Sequence, residues 1–336
     1  MIRALACIAL LVHTASAGNV WDAAIARGNH DGAQDRYETE LERGDDHARN
    51  AAGKNISKTE IRQQVQVAVN AYRAAAAAKP TDAEPYFRLG RMLYAFYFEI
   101  CDRVPPPGMV NSPLCDPVVF DKKRAQEVID AWNELERLAP LDPRLSVDAG
   151  ETQILFDRAI LHTRLATRPH LEAAAADYEK ILARSQERSG RVLGNLAETY
   201  MMLGRMDDAL ETYRDALHVA SDTGTWYGYA VVLDRDEQSQ QALEVIKSLG
   251  PRQLDQFRRD VEAGSTFFVP DGEKFYYFAL AGEAFGYDDL AVESWRQFVM
   301  SGAHPEFQPR AKAHMDALMR RKKRKVVPFE LEDLLR

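Results

Sequence analysis

The sequence predicts an all-α protein assembled from consecutive helical pairs. Three observations carry this. Apolar residues recur three and four positions apart over most of residues 19–319, the spacing that lines one face of a helix. Alanine-rich stretches such as YRAAAAA at 72–78 favour helix, because alanine loses no side-chain freedom there. No run of β-branched residues alternates with period two; the nearest, Lys325-Val326-Val327, is too short for a sheet. Hydrophobic residues are 46% and charged residues 28% of the 336, a balance that excludes global disorder.

The clearest pair begins at Gly190, taken as position 1. Leu193, Leu196, Ala197 and Tyr200 fall at positions 4, 7, 8 and 11 and mark one helix face. Gly204 sits at 15, in the turn. Ala209, Tyr213 and Ala216 fall at 20, 24 and 27 of a second helix. Small residues at 8 and 20 let the two helices approach closely, and larger ones fill the gaps around them.

The same register runs along the chain. Trp21 to Leu41 reads as a short first pair. Ala68, Tyr72, Ala75 and Pro80 hold positions 20, 24, 27 and 32, and Tyr86, Leu89, Gly90 and Leu93 open the next unit. A proline-rich insertion, 101–117, then interrupts, and the second helix resumes near Asp121 and stops before Pro140. Leu155 to Leu165 and Leu171 to Leu182 make another pair. Trp226, Tyr229, Ala230 and Leu233, with Ala242 and Ile246, follow. A long link from Gly250 to Phe268 contains a short helix around Arg252 to Glu262. Phe275, Phe278, Ala279 and Gly282, then Gly286, Ala291, Trp295 and Phe298, complete a further unit. Phe307 to Met319 is a final helix covering the last apolar face. The aromatic residues at these spacings are read as packing residues.

This pattern resembles the tetratricopeptide-repeat family, whose unit is a helix–turn–helix of 34 residues. Leu193 stands where the family has tryptophan, Ala197 where it has glycine, and Ser221 where it has proline. The resemblance implies a right-handed α-solenoid of about six uneven pairs over 18–319; an irregular all-helical bundle is the alternative. It also implies recognition of a protein or peptide on the concave surface lined by the first helices of the pairs. Asn195, Glu198, Thr199 and Met202 are the candidate exposed positions there. The alternatives are self-association, and an accessory subunit of an enzyme that processes cell-envelope polysaccharide.

The start, MIRALACIALLVHTASA, has a basic residue, an apolar run and the small-x-small Ala15-Ser16-Ala17 of a signal peptide ending at residue 17; a short membrane anchor or buried helix is the alternative. Export predicts a bacterial cell-envelope protein, in the periplasm or else secreted. Cys101 and Cys115 then remain, and an oxidising compartment favours a disulfide closing their 15-residue loop. Such closure is worth roughly 3 kcal/mol. Two unrelated thiols are the alternative.

The formal charge of −8 disfavours a nucleic-acid-binding surface. One segment departs from it. Arg320, Arg321, Lys322, Lys323, Arg324 and Lys325 form a six-cation run that opens the tail 320–336 and suits an anionic partner. No chemistry-bearing motif appears: no phosphate loop, no HExxH, no GxSxG, no cysteine–histidine zinc spacing. The acidic segment from Asp234 lacks the glycine and glutamate of a calcium loop, having Ser239 and Val245 there. The expectation is therefore a non-enzymatic scaffold with no cofactor and no metal.

Overall fold

The computed structural model describes residues 18–53, 56–99, 114, 119–145, 154–185, 189–220, 222–262, 267–270 and 272–325, with side chains from 32 to 321. The leader, both cysteines of the expected disulfide and residues 326–336 lie outside the described residues. Among those described there are only helices and their turns, and no strand. The chain divides into two compact units, Met1–Leu89 and Gly90–Arg336.

In the first unit α1 (Gly18–Ala51) packs along α2 (Lys58–Ala78). The sequence register predicts a short pair within 21–41. The structure has one helix of 34 residues instead, with no proline to interrupt it. Its partner α2 starts at a reciprocal cap. Ser57 Oγ accepts from the Glu60 amide at 3.2 Å, and Glu60 accepts from the Ser57 amide at 2.8 Å. The Tyr72 ring packs where a side chain at Gly44 would stand, and its hydroxyl donates to Asp45 at 2.8 Å. The helix α3 (Glu84–Tyr94) begins in this unit and continues past Leu89.

The second unit runs on as pairs. From Gly90 onward α3 leads into a π-helical turn at Ala95–Glu99 and packs on α4 (Lys122–Leu138). Next come α5 (Ile154–Leu165) with α6 (Arg168–Arg184), α7 (Gly190–Met202) with α8 (Met206–Val219), and α9 (Thr223–Arg235) with α10 (Ser239–Leu249). An additional helix, α11 (Arg252–Glu262), falls where the long link predicted one. Then come α12 (Lys274–Phe285) with α13 (Asp288–Ser301), and a last helix, α14 (Gln308–Lys325). The architecture is thus a tetratricopeptide-like α-solenoid of roughly six helical pairs.

Position-8 residues sit at the closest approaches. Ala197, Ala230 and Ala279 are fully buried, as are Ala209, Ala242 and Ala291 at position 20. Gly204 and Gly286 turn the chain with φ of 75° and 74°, a left-handed geometry that side chains resist. One expectation shifts at the end. The last helix does not stop at Met319 but continues through the basic run to Lys325. No breaker precedes Pro328, and cations suit a helix C-terminus.

Gly90 lies against the fully buried Trp132, whose indole ring fills the space that a β-carbon would need. Gly90→Ala should therefore lower stability by about 1–3 kcal/mol in chemical unfolding. Gly32 is exposed on α1, and nothing lies within 4 Å of where its β-carbon would stand. Gly32→Ala should raise stability by about 0.5–1 kcal/mol through helix propensity. Equal shifts in the two variants would contradict this packing.

Candidate functional site

The sequence register puts Asn195, Glu198 and Thr199 on an open surface of α7. The structure corrects their exposure: all three are fully buried, and Met202 is half-buried. The cause is the link after α10. Phe267 packs over Gly194, and the Phe268 amide donates to Asn195 Oδ1 at 2.7 Å. The Tyr277 hydroxyl of α12 donates to Glu198 Oε2 at 2.5 Å, and that of Tyr213 to the same oxygen at 3.3 Å. Thr199 turns its hydroxyl back onto the Asn195 carbonyl at 2.8 Å. The face expected to meet a partner is occupied by the chain's own later segment.

These residues belong to a buried polar cluster. Arg235, fully buried, pairs with the equally buried Glu273, and its guanidinium lies 4.5 Å from the Tyr276 ring centroid and 4.3 Å from that of Phe307. His304 Nε2 stands 3.3 Å from Glu273 Oε1, near enough to pair by charge, although that oxygen makes no hydrogen bond. Among the described residues Asn195 Nδ2, Glu198 Oε1 and Arg235 Nε also have no hydrogen-bond partner. Burial, reinforced by the Glu273 carboxylate, pushes the Glu198 carboxyl up to about 7. Burial also lifts the phenols of Tyr213 and Tyr277 well above their ordinary range, with Glu198 adding to it, so both remain donors.

A second cluster centres on Asp234, at the end of α9 and fully buried. Tyr276 and Ser239 each donate to it at 2.5 Å. Arg310 reaches both of its oxygens, at 3.0 and 3.2 Å, and His314 Nε2 lies 3.2 Å away. His314 Nδ1 faces Glu283 at 2.9 Å, and its ring stacks on Trp295 at 4.9 Å. Burial alone would raise the Asp234 carboxyl, but the His314, Arg310 and Ser239 hydrogen bonds hold it well below the usual carboxylate range. Burial likewise works against a charged His314, yet its bonds to Asp234 and Glu283 prevail and raise it to about 9. The third such group joins α4, α5 and α6. Arg158 binds Asp177 through two bonds of 2.7 Å and reaches Glu136 at 2.6 Å.

Open pockets among the described residues lie elsewhere. A groove of about 600 Å³ lies between α11, α12 and α13. Its floor is Phe275, Phe278, Val261, Val269 and Leu290. Charges of both signs ring it: Arg258, Lys274, Glu262 and Glu293. The Arg258 guanidinium stands 5.5 Å from the Phe278 ring centroid, and the Lys274 ammonium 5.5 Å from that of Phe275. The sequence register assigns both phenylalanines to packing. Both are only half-buried, and their neighbours Tyr276 and Tyr277 fill the core instead. The sequence does carry a signal that separates them: a run of four aromatics, Phe275-Tyr276-Tyr277-Phe278, must present rings around most of the helix circumference.

The basic run falls on α14, where Arg320 is exposed and Arg321 pairs with Asp288. No group of three or more His, Cys, Asp or Glu among the described residues is placed to hold a metal ion. No described helix is long and apolar enough to cross a membrane.

No family model matches the chain, and no curated protein matches it. Among solved structures, the MamA protein is similar with a TM-score of 0.41 at 13% identity, over 70% of this chain and 100% of that one. YrrB, described as a TPR protein with an unusual peptide-binding site, gives 0.35 at 14%, over 73% and 99%. PilF of Pseudomonas aeruginosa gives 0.39 at 11%, over 84% and 99%. At these distances no site residue and no ligand carries across.

Two pH dependences follow. Glu198 is raised in the folded chain, so its ionisation costs stability, by nothing below pH 4.5 and in full above about 7. Glu198→Gln should match the wild type near pH 4.5 and exceed it by about 2–3 kcal/mol at pH 8 in chemical unfolding. His314 is also raised, so its contribution is complete below pH 6.5 and lost as pH climbs through about 9. His314→Gln should be less stable by about 2–3 kcal/mol at pH 6, with the gap closing by pH 10. A gap that is flat with pH would contradict either assignment.

Proposed function

We propose that the chain is a non-enzymatic binding scaffold that takes a protein or peptide segment in the groove between α11, α12 and α13. The half-buried Phe275 and Phe278 carry this reading, set in a concave apolar floor between charges of both signs. Aromatic rings left accessible in a groove are the anchors that peptide recognition uses, because one inserted apolar side chain removes much surface from water. A short amphipathic segment fits the dimensions, its apolar side meeting the rings and its polar side meeting Arg258, Lys274, Glu262 and Glu293. The leader-like start supports placing this role in the bacterial cell envelope, with the periplasm as the compartment.

Peptides selected from a displayed library against the full chain should bind the groove. Phe275→Ser with Phe278→Ser should weaken the selected peptides at least about 30-fold in fluorescence polarisation, the effect of losing a central aromatic anchor. Retained affinity in a double variant with an unchanged helical signal would place recognition elsewhere.

A further inference from the structure

We propose that the segment Phe267–Val269 is a pH-responsive strap, which covers the inner face of α7 while Glu198 carries a proton and releases that face when Glu198 is ionised. Three geometric observations carry this. First, the strap is lightly held. Among the described residues its hold on α7 is the Phe268 amide on Asn195 Oδ1 at 2.7 Å and the Phe267 ring over Gly194. Phe267 is buried, but Phe268 and Val269 are only half-buried and belong to no helix. Pro270 stays behind as the hinge, since its carbonyl accepts the Glu273 amide at 2.9 Å where α12 begins. Segments with so few buried contacts open locally at lower cost than the helices around them.

Secondly, the strap rests on the partners of the acid itself. The Phe267 ring meets that of Tyr213 edge-on, with centroids 5.9 Å apart, and that of Tyr277 at 6.3 Å. Both phenols donate to Glu198 Oε2. Asn195 and Glu198 are three residues apart on one face of α7, so lifting Phe267 and Phe268 admits water to the face that holds the acid.

Thirdly, the covered cluster is unbalanced in charge and in hydrogen bonds. Facing Glu198 are Tyr213 of α8, Arg235 of α9, Glu273 and Tyr277 at the start of α12, and His304 ahead of α14. With Glu198 ionised, two carboxylates share one permanent cation. His304 adds a second cation only while protonated, and Glu306 at its other nitrogen adds a further acid. Asn195 Nδ2, Glu198 Oε1, Arg235 Nε and Glu273 Oε1 make no hydrogen bond, so contact with water on opening is favourable to all four. Rising pH thus places a charge on Glu198 that the closed strap disfavours and the open one solvates. Held at about 7 when covered, the carboxyl returns to its ordinary 4.5 in water, and opening gains across that interval. The inner face of α7 is then core at low pH and surface at high pH. Val269 also lines the groove, but the strap opens without any groove ligand.

The test is hydrogen exchange of the Phe268 amide in the full chain, each rate divided by the intrinsic rate of an unprotected amide at that pH. The resulting opening constant should rise roughly 30- to 100-fold between about pH 5 and pH 8, while those of α2 amides stay flat. Glu198→Gln should make the Phe268 constant flat with pH as well. Phe267→Ala should raise it at least about ten-fold already at pH 5, by removing the buried ring that holds the strap down. A wild-type constant that is flat with pH overturns the proposal. So does a rise that α2 shares, which would be global unfolding, or a rise that persists in Glu198→Gln. A rise lost in His304→Gln but kept in Glu198→Gln assigns the response to the histidine and equally overturns it. Should Glu198→Gln fail to fold, Phe267→Ala still decides, because an unchanged constant there shows that the ring does not close this face.

Discussion

Asp234 is an anion with no exposed surface, held there because three other helices converge on its two oxygens. Ser239 comes from α10, Tyr276 from α12, and Arg310 and His314 from α14. Stripping a carboxylate of water costs several kcal/mol unless its lone pairs are all met, so this site tolerates few other arrangements. Arg310 and His314 are four residues apart and lie on one face of α14. Together they set the rotation and the axial position of that helix, while Ala311 and Leu318 supply its apolar contact. Apolar contact alone would leave more than one register open. The carboxylate selects among them.

The link between α10 and α12 has two effects that belong together. Its Phe267–Phe268 end lies over α7 and converts an inner face into core, where Asn195 and Glu198 become buried groups. Its helix α11 forms one wall of the groove beside α12 and α13. The insertion therefore closes one candidate surface and creates another. The cluster beneath it holds two carboxylates, Glu198 and Glu273, against one permanent cation, Arg235. Burial first, and then that imbalance, retain a proton on Glu198 well above the ordinary carboxylate range.

Much of the framework was legible in the residues. Helical spacing located α2 through α14, because each pair must bury one stripe and, in the clearest pairs, small residues at 8 and 20 mark the contact. The structure bears this out at Ala197, Ala209, Ala279 and Ala291. The single helix α1 was not legible, since Trp21 to Leu41 reads as a short pair while the chain stays helical from Gly18 to Ala51. The site was less legible still. The register tells which face of α7 points away from α8, but not that Phe267 arrives from over seventy positions later to cover it. Likewise the residues around Asp234 speak only of a calcium loop that fails. Its partners Arg310 and His314 are too distant in sequence for any local pattern to join them.

The range of these contacts alters how the chain must assemble. In a plain repeat array each unit touches its neighbours only, so folding can start anywhere and spread. Here Glu198 receives Tyr277 from 79 residues on, and Asp234 receives Arg310 from 76 residues on. The charge on Asp234 has no adequate neutralisation until α14 exists and has docked. Loss of α14 would therefore be felt at α9, α10 and α12 together, since Asp234, Ser239 and Tyr276 share one hydrogen-bonded site with Arg310.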